Sequence, residues 1–268
     1  MMADDGAFRS AAFVAETFVS ARRSAAALAA FPGAPPADLE GAYACQEAAI
    51  SLWGDEIAGW KIGRISPEFE QRLGRSRLAG PIFAKAVWRA GAEPTAFPVF
   101  VGGFAAVEAE FVYVVAEDAP ADKFSWTAEA ARRLVGAVHI GVETAGSPLA
   151  TINVLGPAVV VSDFGNNAGL ILGPAVPEAD EALVCETFID GERCGRGTAG
   201  DMPGGPLESF RFLLEVCARR GRPLRAGQLV STGAITGVHE IGPGQSARVS
   251  FGRYGELHCR AVAAEPRS

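Results

Sequence analysis

The sequence predicts an α+β fold of mostly β character with a small helical region towards the N-terminus. Three observations carry that expectation. Short runs rich in Val, Ile, Phe and Tyr recur from about residue 97 onward, separated by glycine and proline turns. Helical patterning with caps and stops dominates before residue 54. Helices and strands do not alternate strictly, which argues against a doubly wound parallel sheet. The expected division is 1–95, helical and mixed, followed by 96–268, mostly β. The chain has 268 residues, 49% hydrophobic and 21% charged, enough for a sizeable core and unlike a disordered chain.

Taken in order, residues 6–31 pattern as an Ala-rich amphipathic helix ended by Pro32, Pro35 and Pro36. Glu16, Arg22 and Arg23 interrupt it, so it is not a membrane span. Asp38 is placed to cap a second helix that runs to about Trp53. Residues 57–65, containing Gly59-Trp60-Lys61-Ile62-Gly63, read as a short strand with glycines where other groups approach. Residues 66–95 are mixed, with turn signals at Gly74, Gly80-Pro81 and Gly91. Strands are then expected at 107–116, 137–144, 157–162, 168–173, 183–189, 192–196, 228–232, 246–251 and 256–263. Asp190-Gly191 signals a tight hairpin. Two helices interrupt, at about 127–135 and 206–220, the second closed by Gly221.

Net charge is −7 and no Lys/Arg run appears, so neither nucleic acid nor an anionic membrane is the expected partner. The five cysteines (Cys45, Cys185, Cys194, Cys217, Cys259) form no CxxC pair, which fits reduced thiols. The first residues, acidic at Asp4 and Asp5, lack the basic start and apolar core of a signal peptide. A cytoplasmic location is expected. No GxSxG, HExxH or P-loop is present, and His139, His239 and His258 are too scattered for a metal site.

Chemistry is signalled by Glu108 and Glu110 inside the apolar run 107–115. Residues two apart on a strand share a face, roughly 6.6 Å apart. Like charges held together among apolar groups call for a cation. Glu143, in a second strand-like segment, completes an oxygen-rich set suited to Mg²⁺ or Mn²⁺ rather than Zn²⁺. The competing reading puts Glu108 and Glu110 on the solvent face of an edge strand. Lys61, set between Trp60 and Ile62, is a candidate acid or base whose pKa an apolar setting would push down; the alternative is a snorkelling side chain. The polar stretch from Ser162 to Gly169 and the Thr232-Gly233 step both offer ligand-binding backbone, or are ordinary turns.

The ordered set Gly59-Trp60-Lys61-Ile62-Gly63, Val107-Glu108-Ala109-Glu110, Val142-Glu143, Ser162 to Ala168, Ser231-Thr232-Gly233 and Pro243-Gly244 resembles the 2-keto-4-pentenoate hydratase and 4-oxalocrotonate decarboxylase group of the fumarylacetoacetate hydrolase superfamily. The resemblance runs from about Asp38 to about Val262. It implies that superfamily's mixed, mostly β roll, with Mg²⁺ or Mn²⁺ held by Glu108, Glu110 and Glu143 and with Lys61 beside the substrate. It places Ser147, Ser162, Asp163, Asn166 and Thr232 as substrate-binding residues. It implies a homo-oligomer acting on a small 2-oxo acid in aromatic catabolism. Hydration of a 2-hydroxydienoate is the leading expectation. Decarboxylation of a 4-oxalocrotonate-like acid, C–C hydrolysis of an acylpyruvate, and non-catalytic binding of an oxo acid are the alternatives. The absence of a histidine before residue 139 counts against hydrolysis.

Overall fold

The computed structural model describes residues 10–267. The expected helix start at residue 6 and the acidic pair Asp4 and Asp5 lie outside the described residues. Helix α1 spans Ala11–Ser24; the Ser10 hydroxyl caps it by accepting from the Phe13 N–H. It ends at Ala25 in the left-handed region, before the prolines are reached. Helix α2, Leu39–Trp53, starts as expected at Asp38, whose carboxylate accepts from the Gly41 N–H at 2.8 Å, and stops at left-handed Gly54. There follow β1 (Ile57–Arg64), α3 (Pro67–Leu73), β2 (Arg77–Phe83), β3 (Val87–Arg89), β4 (Thr95–Val99), β5 (Phe104–Val115), α4 (Ala128–Arg132), β6 (Val135–Ser147), α5 (Pro157–Ser162) and β7 (Asn167–Val176). The chain continues through β8 (Val184–Ile189), β9 (Glu192–Thr198), α6 (Gly205–Arg219), β10 (Leu229–Ser231), β11 (His239–Glu240), β12 (Ser246–Ser250) and β13 (Glu256–Ala263).

Two mixed sheets result. One runs β2-β1-β10-β5-β6-β7-β3, with β11 added against β5; the other runs β4-β13-β12-β8-β9. The first curls, bringing β2 against β7. The strands before residue 95 therefore all sit in the first sheet, beside β5, β6, β7 and β10. Alternation along β5 fixes what each face does. Val107, Ala109 and Phe111 pack into the core between the sheets with Ile140, Val142, Val249 and Phe251. A fully buried phenylalanine such as Phe111 contributes about 1.5–3 kcal/mol. The same alternation sends Glu108 and Glu110 to the opposite face. Because β5 lies between β10 and β6, the edge-strand reading of these residues is wrong. A second core joins α1, α2, α4 and α6 to the first sheet around Trp60, Tyr113, Phe210 and Val230.

Two expectations fail for physical reasons. Residues 157–162 form helix α5, not a strand. Gly156 at φ 99° turns the chain, Pro157 opens the helix, and all six residues are buried. Residues 77–83, where Gly80-Pro81 read as a turn, form strand β2. It is the edge of its sheet, where a proline lacking an N–H is tolerated. The helix expected at 127–135 is confined to Ala128–Arg132, since β6 already begins at Val135. The Asp190-Gly191 hairpin is present, with both residues at positive φ. Among the described residues, no helix is long and apolar enough to cross a membrane.

Candidate active site

Strand register brings the acidic residues together. Glu108 on β5 is the direct partner of Glu143 on β6, and Glu110 lies one pleat repeat along β5. One carboxylate oxygen from each can be chosen so that all three lie within 4.8 Å of one another. Glu110 and Glu143 have no exposed surface and Glu108 only 5%.

Glu110 and Glu143 are held but incompletely satisfied. Oε2 of Glu110 accepts from the Ser231 hydroxyl at 2.5 Å and from the Gly233 N–H at 2.8 Å, while Oε1 has no partner. Oε1 of Glu143 accepts from Asn167 Nδ2 at 3.1 Å and faces Lys61 Nζ at 3.2 Å, while Oε2 has no partner. Buried polar atoms without partners are expensive, by about 1–3 kcal/mol each. Two such oxygens facing a third carboxylate fit a hard divalent cation and fit no protein donor present. Burial, then the charge of Glu143, pushes the Glu108 carboxyl up to about 8 despite Lys61. Glu110 is driven well above its ordinary range by burial and by Glu143 and Glu108. A cation would reverse both shifts.

Lys61 enters from β1, three strands from Glu143 across β10 and β5. It is 3% exposed, so it does not snorkel. Its ammonium donates to Asn166 Oδ1 at 3.0 Å besides pairing with Glu143. The expected downward pKa shift is wrong in direction. Burial does lower it, but Glu143, Glu108 and Glu110 together outweigh burial and raise it. Gly80 is the partner of Lys61 on β2, and a Cβ there would strike the Phe164 carbonyl. That close approach seats the turn Phe164-Gly165-Asn166, all at positive φ, which aims Asn166 at the lysine.

The Lys61 side chain, Glu108, Asn166 and Thr232 line a cavity of about 750 Å³ that opens towards β2, α3 and the loop after β10. Asn166, expected at the substrate, is among the residues lining the cavity. Thr232 lines the cavity through its backbone neighbourhood, its hydroxyl being donated to the Phe111 carbonyl. Ser147, Ser162 and Asp163, also expected at the substrate, are not among the residues lining that cavity. The Ser162 hydroxyl donates back into its own helix, to the Ala158 carbonyl. Asp163 accepts from Arg22 of α1 at 2.5 Å and from the Ser147 hydroxyl at 2.6 Å. Arg22 also donates to the Gly146 and Asn167 carbonyls, so this buried group ties α1 behind the site. In the sequence Arg22 shows only as a charge interrupting an Ala-rich helix, with no sign of its partner. Asn153, which accepts from Asn166 Nδ2 at 3.1 Å, lies in a loop with no distinguishing signal. None of the three histidines lines that cavity: His139 and His239 contact backbone carbonyls and His258 faces Glu256.

No family model matches the chain. It is 29% identical over 251 residues to a 2-keto-4-pentenoate hydratase of Paraburkholderia phymatum, covering 87% of this chain and 89% of that protein. It is also 29% identical over 206 residues to the TodF product hydratase of Pseudomonas putida, covering 74% and 75%. Among solved structures, 4-oxalocrotonate decarboxylase from Pseudomonas putida G7, complexed with magnesium and adipate, superposes with a TM-score of 0.79 at 19% identity, covering 94% of this chain and 97% of that one. Fumarylpyruvate hydrolase from Pseudomonas aeruginosa, in complex with Mn²⁺ and pyruvate, superposes at 0.56 with 20% identity, covering 76% and 89%. The chain is thus a relative of the 2-keto-4-pentenoate hydratases and carries the fold shared by 4-oxalocrotonate decarboxylase and fumarylpyruvate hydrolase.

Proposed function

We propose that this protein is a divalent-metal-dependent hydratase of a 2-hydroxydienoate such as 2-hydroxypenta-2,4-dienoate. The observation that carries the reading is the buried Glu108, Glu110 and Glu143 set, with two unpartnered oxygens, beside a buried lysine at the base of a large cavity. Relationship to proteins named as hydratases over 87% of the chain supports it. Glu108, Glu110 and Glu143 would hold Mg²⁺ or Mn²⁺, which supplies positive charge against the negative charge that develops on a 2-oxo acid as it enolises.

The chain's own groups then handle protons and water. Lys61 Nζ is fixed by Glu143 Oε1 and Asn166 Oδ1 within reach of the cavity. Ketonisation moves the 2-hydroxyl proton to C5 of the dienol, and the lysine is the group placed to relay it. Water then adds across C3=C4, its hydroxyl going to C4 and its proton to C3. Asn166, braced by Asn153, keeps the ammonium aimed into the cavity. Apolar lining from Phe69, Val160, Met202 and Ile235 limits competing water. No histidine stands at the cavity to activate water for C–C cleavage, which disfavours the hydrolase reading.

The test is direct. Protein supplied with Mg²⁺ and 2-hydroxypenta-2,4-dienoate should remove the dienol absorbance and form 4-hydroxy-2-oxopentanoate, and EDTA should stop it. Release of CO₂ from 4-oxalocrotonate without hydration of the dienoate would move the assignment to decarboxylase. Metal binding without turnover of any such acid would leave only an oxo-acid-binding protein. A homo-oligomer working in the cytoplasm on aromatic breakdown products is part of the same proposal.

A further inference from the structure

Helix α2 reaches the site from behind, through a side chain that is not among those lining the cavity. Gln46 has no exposed surface. Its Nε2 donates to two main-chain carbonyls in different elements, Ala79 of β2 and Val161 of α5, each at 3.0 Å. Its Oε1 accepts from Nη2 of Arg220, the residue after α6, at 2.7 Å. Both amide protons are thus in use. The reverse orientation would set an amide oxygen against two carbonyl oxygens, so only one way of lying is open to this amide. Arg220 is itself held: its guanidinium also donates to Glu47 at 2.5 Å, stacks 4.2 Å from the Tyr43 ring and lies 5.3 Å from the Trp60 ring.

The two carbonyls flank a single backbone contact. Strand β2 is the edge of its sheet, and the Tyr43 hydroxyl, one turn before Gln46, accepts the Ala79 N–H at 3.0 Å. Helix α2 therefore takes both main-chain groups of Ala79, where an open edge would otherwise leave them unpaired. The next residue, Gly80, lies so close to the Phe164-Gly165 turn that a Cβ on Gly80 would stand 2.1 Å from the Phe164 carbonyl oxygen. A Cβ on Gly165 would stand 2.9 Å from the Gly80 Cα. Val161 belongs to the last turn of α5, just before that same Phe164 turn. Gln46 thus bridges the strand on one side of the contact and the helix on the other. The spacing it holds decides where Asn166 stands, and Asn166 Oδ1 accepts from Lys61 Nζ at 3.0 Å.

We propose that Gln46 is a positioning residue for Lys61. Its amide sets the distance between β2 and α5, and through the Gly80–Phe164 contact it sets the place of Asn166 and the aim of the ammonium. An apolar side chain of similar size could fill the same volume, but it carries no directional bonds and would leave two buried carbonyls unpaired. The inference rests on the reading of Lys61 as the proton relay.

A crystal structure and the kinetics of Gln46→Met test it. In the variant, Lys61 Nζ should stand outside hydrogen-bond distance of Asn166 Oδ1. With Mg²⁺ and 2-hydroxypenta-2,4-dienoate, kcat should fall by about 10–10²-fold, the scale of a misplacement of about 1 Å, while KM and Mg²⁺ affinity change by less than about threefold. Asn166→Ala should lower kcat as well, and adding Gln46→Met to it should cost less than about twofold more, because the contact is already gone. A glutamine with a merely structural role would instead multiply the two losses. If Gln46→Met is too unstable to purify, Gln46→Glu serves in the same cycle: it keeps the volume and the Arg220 contact but sets an acceptor against the two carbonyls. A retained Lys61–Asn166 contact, or independent losses in the double variant, would overturn the positioning role. If the unaltered protein turns over no dienoate, the hydratase reading fails, and the crystallographic contact alone decides the positioning.

Discussion

Removing metal should make the protein less stable as pH rises, and Glu108 is one of the two carboxyls that cause it. Its carboxyl titrates at about 8 in the folded chain, against an ordinary value of 4.5. Because the folded value is the higher one, folding takes up a proton between them. The stability associated with that proton is fully present below pH 4.5 and is lost as pH rises through about 8. The interval of about 3.5 units, at about 1.36 kcal/mol per unit, sets an upper bound of about 5 kcal/mol. Against a typical domain stability of about 5–15 kcal/mol, that is a large fraction. The assay is urea unfolding in EDTA at several pH values from 5 to 8.5, with Glu108→Gln alongside. The variant should match the unaltered protein near pH 5 and exceed it by a few kcal/mol near pH 8. Saturating Mg²⁺ should close the gap by stabilising the unaltered protein more than the variant. Parallel curves for the two proteins across the whole range would refute the reasoning, since Glu108 would then not be strained by ionisation.

Other outcomes follow from the same geometry. The Glu108→Ala, Glu110→Ala double variant should lose Mg²⁺ binding measured by calorimetry while remaining folded by circular dichroism. Lys61→Ala should lower kcat by about 10²–10⁴-fold, the usual contribution of a positioned proton donor, with Mg²⁺ affinity retained; an unchanged kcat removes its assigned role. Arg22→Met should destabilise the chain by about 3–5 kcal/mol in urea titrations, because it leaves Asp163 buried and unpaired. Gly80→Ala should displace the Phe164–Asn166 turn and so disturb the Lys61–Asn166 contact, read as a loss of activity larger than the loss of thermal stability.

How far the sequence reaches differs from residue to residue. Glu108 and Glu110 were legible because strand alternation is local: two acids at i and i+2 in an apolar run share a face whatever the rest of the chain does. Glu143 was legible as a third acid, but its direct pairing with Glu108 depends on register between β5 and β6, which composition does not encode. The Val159-Val160-Val161 run misled because β-branched residues favour strands, whereas here Gly156 and Pro157 and the packing of α5 on α2 decide for helix. Gly80-Pro81 misled in the opposite sense, since a glycine needed for close backbone approach looks the same in sequence as one needed for a turn. Asp163 looked like a ligand because polar residues after an apolar run often are. Its partner, Arg22, lies 141 residues away, beyond any local pattern. The direction of the Lys61 shift also depended on distant residues: Trp60 and Ile62 argue for a lowered pKa, and only the assembled carboxylates reverse it.

The buried Arg22–Asp163 pair has a consequence for how the molecule comes into being. Its two halves are made far apart in time during synthesis, as are Lys61 and Glu143. Closing such long loops is entropically costly and slow, so these contacts belong to the late stages of folding. A nascent chain that has not yet reached residue 163 lacks both the counter-ion for Arg22 and the asparagines that orient Lys61 and Glu143. No fragment ending earlier can therefore offer the ion its complete setting. A cation held by Glu108, Glu110 and Glu143 would meet its full setting only once these distant segments have docked, so metal supply during folding would act on the yield of intact protein.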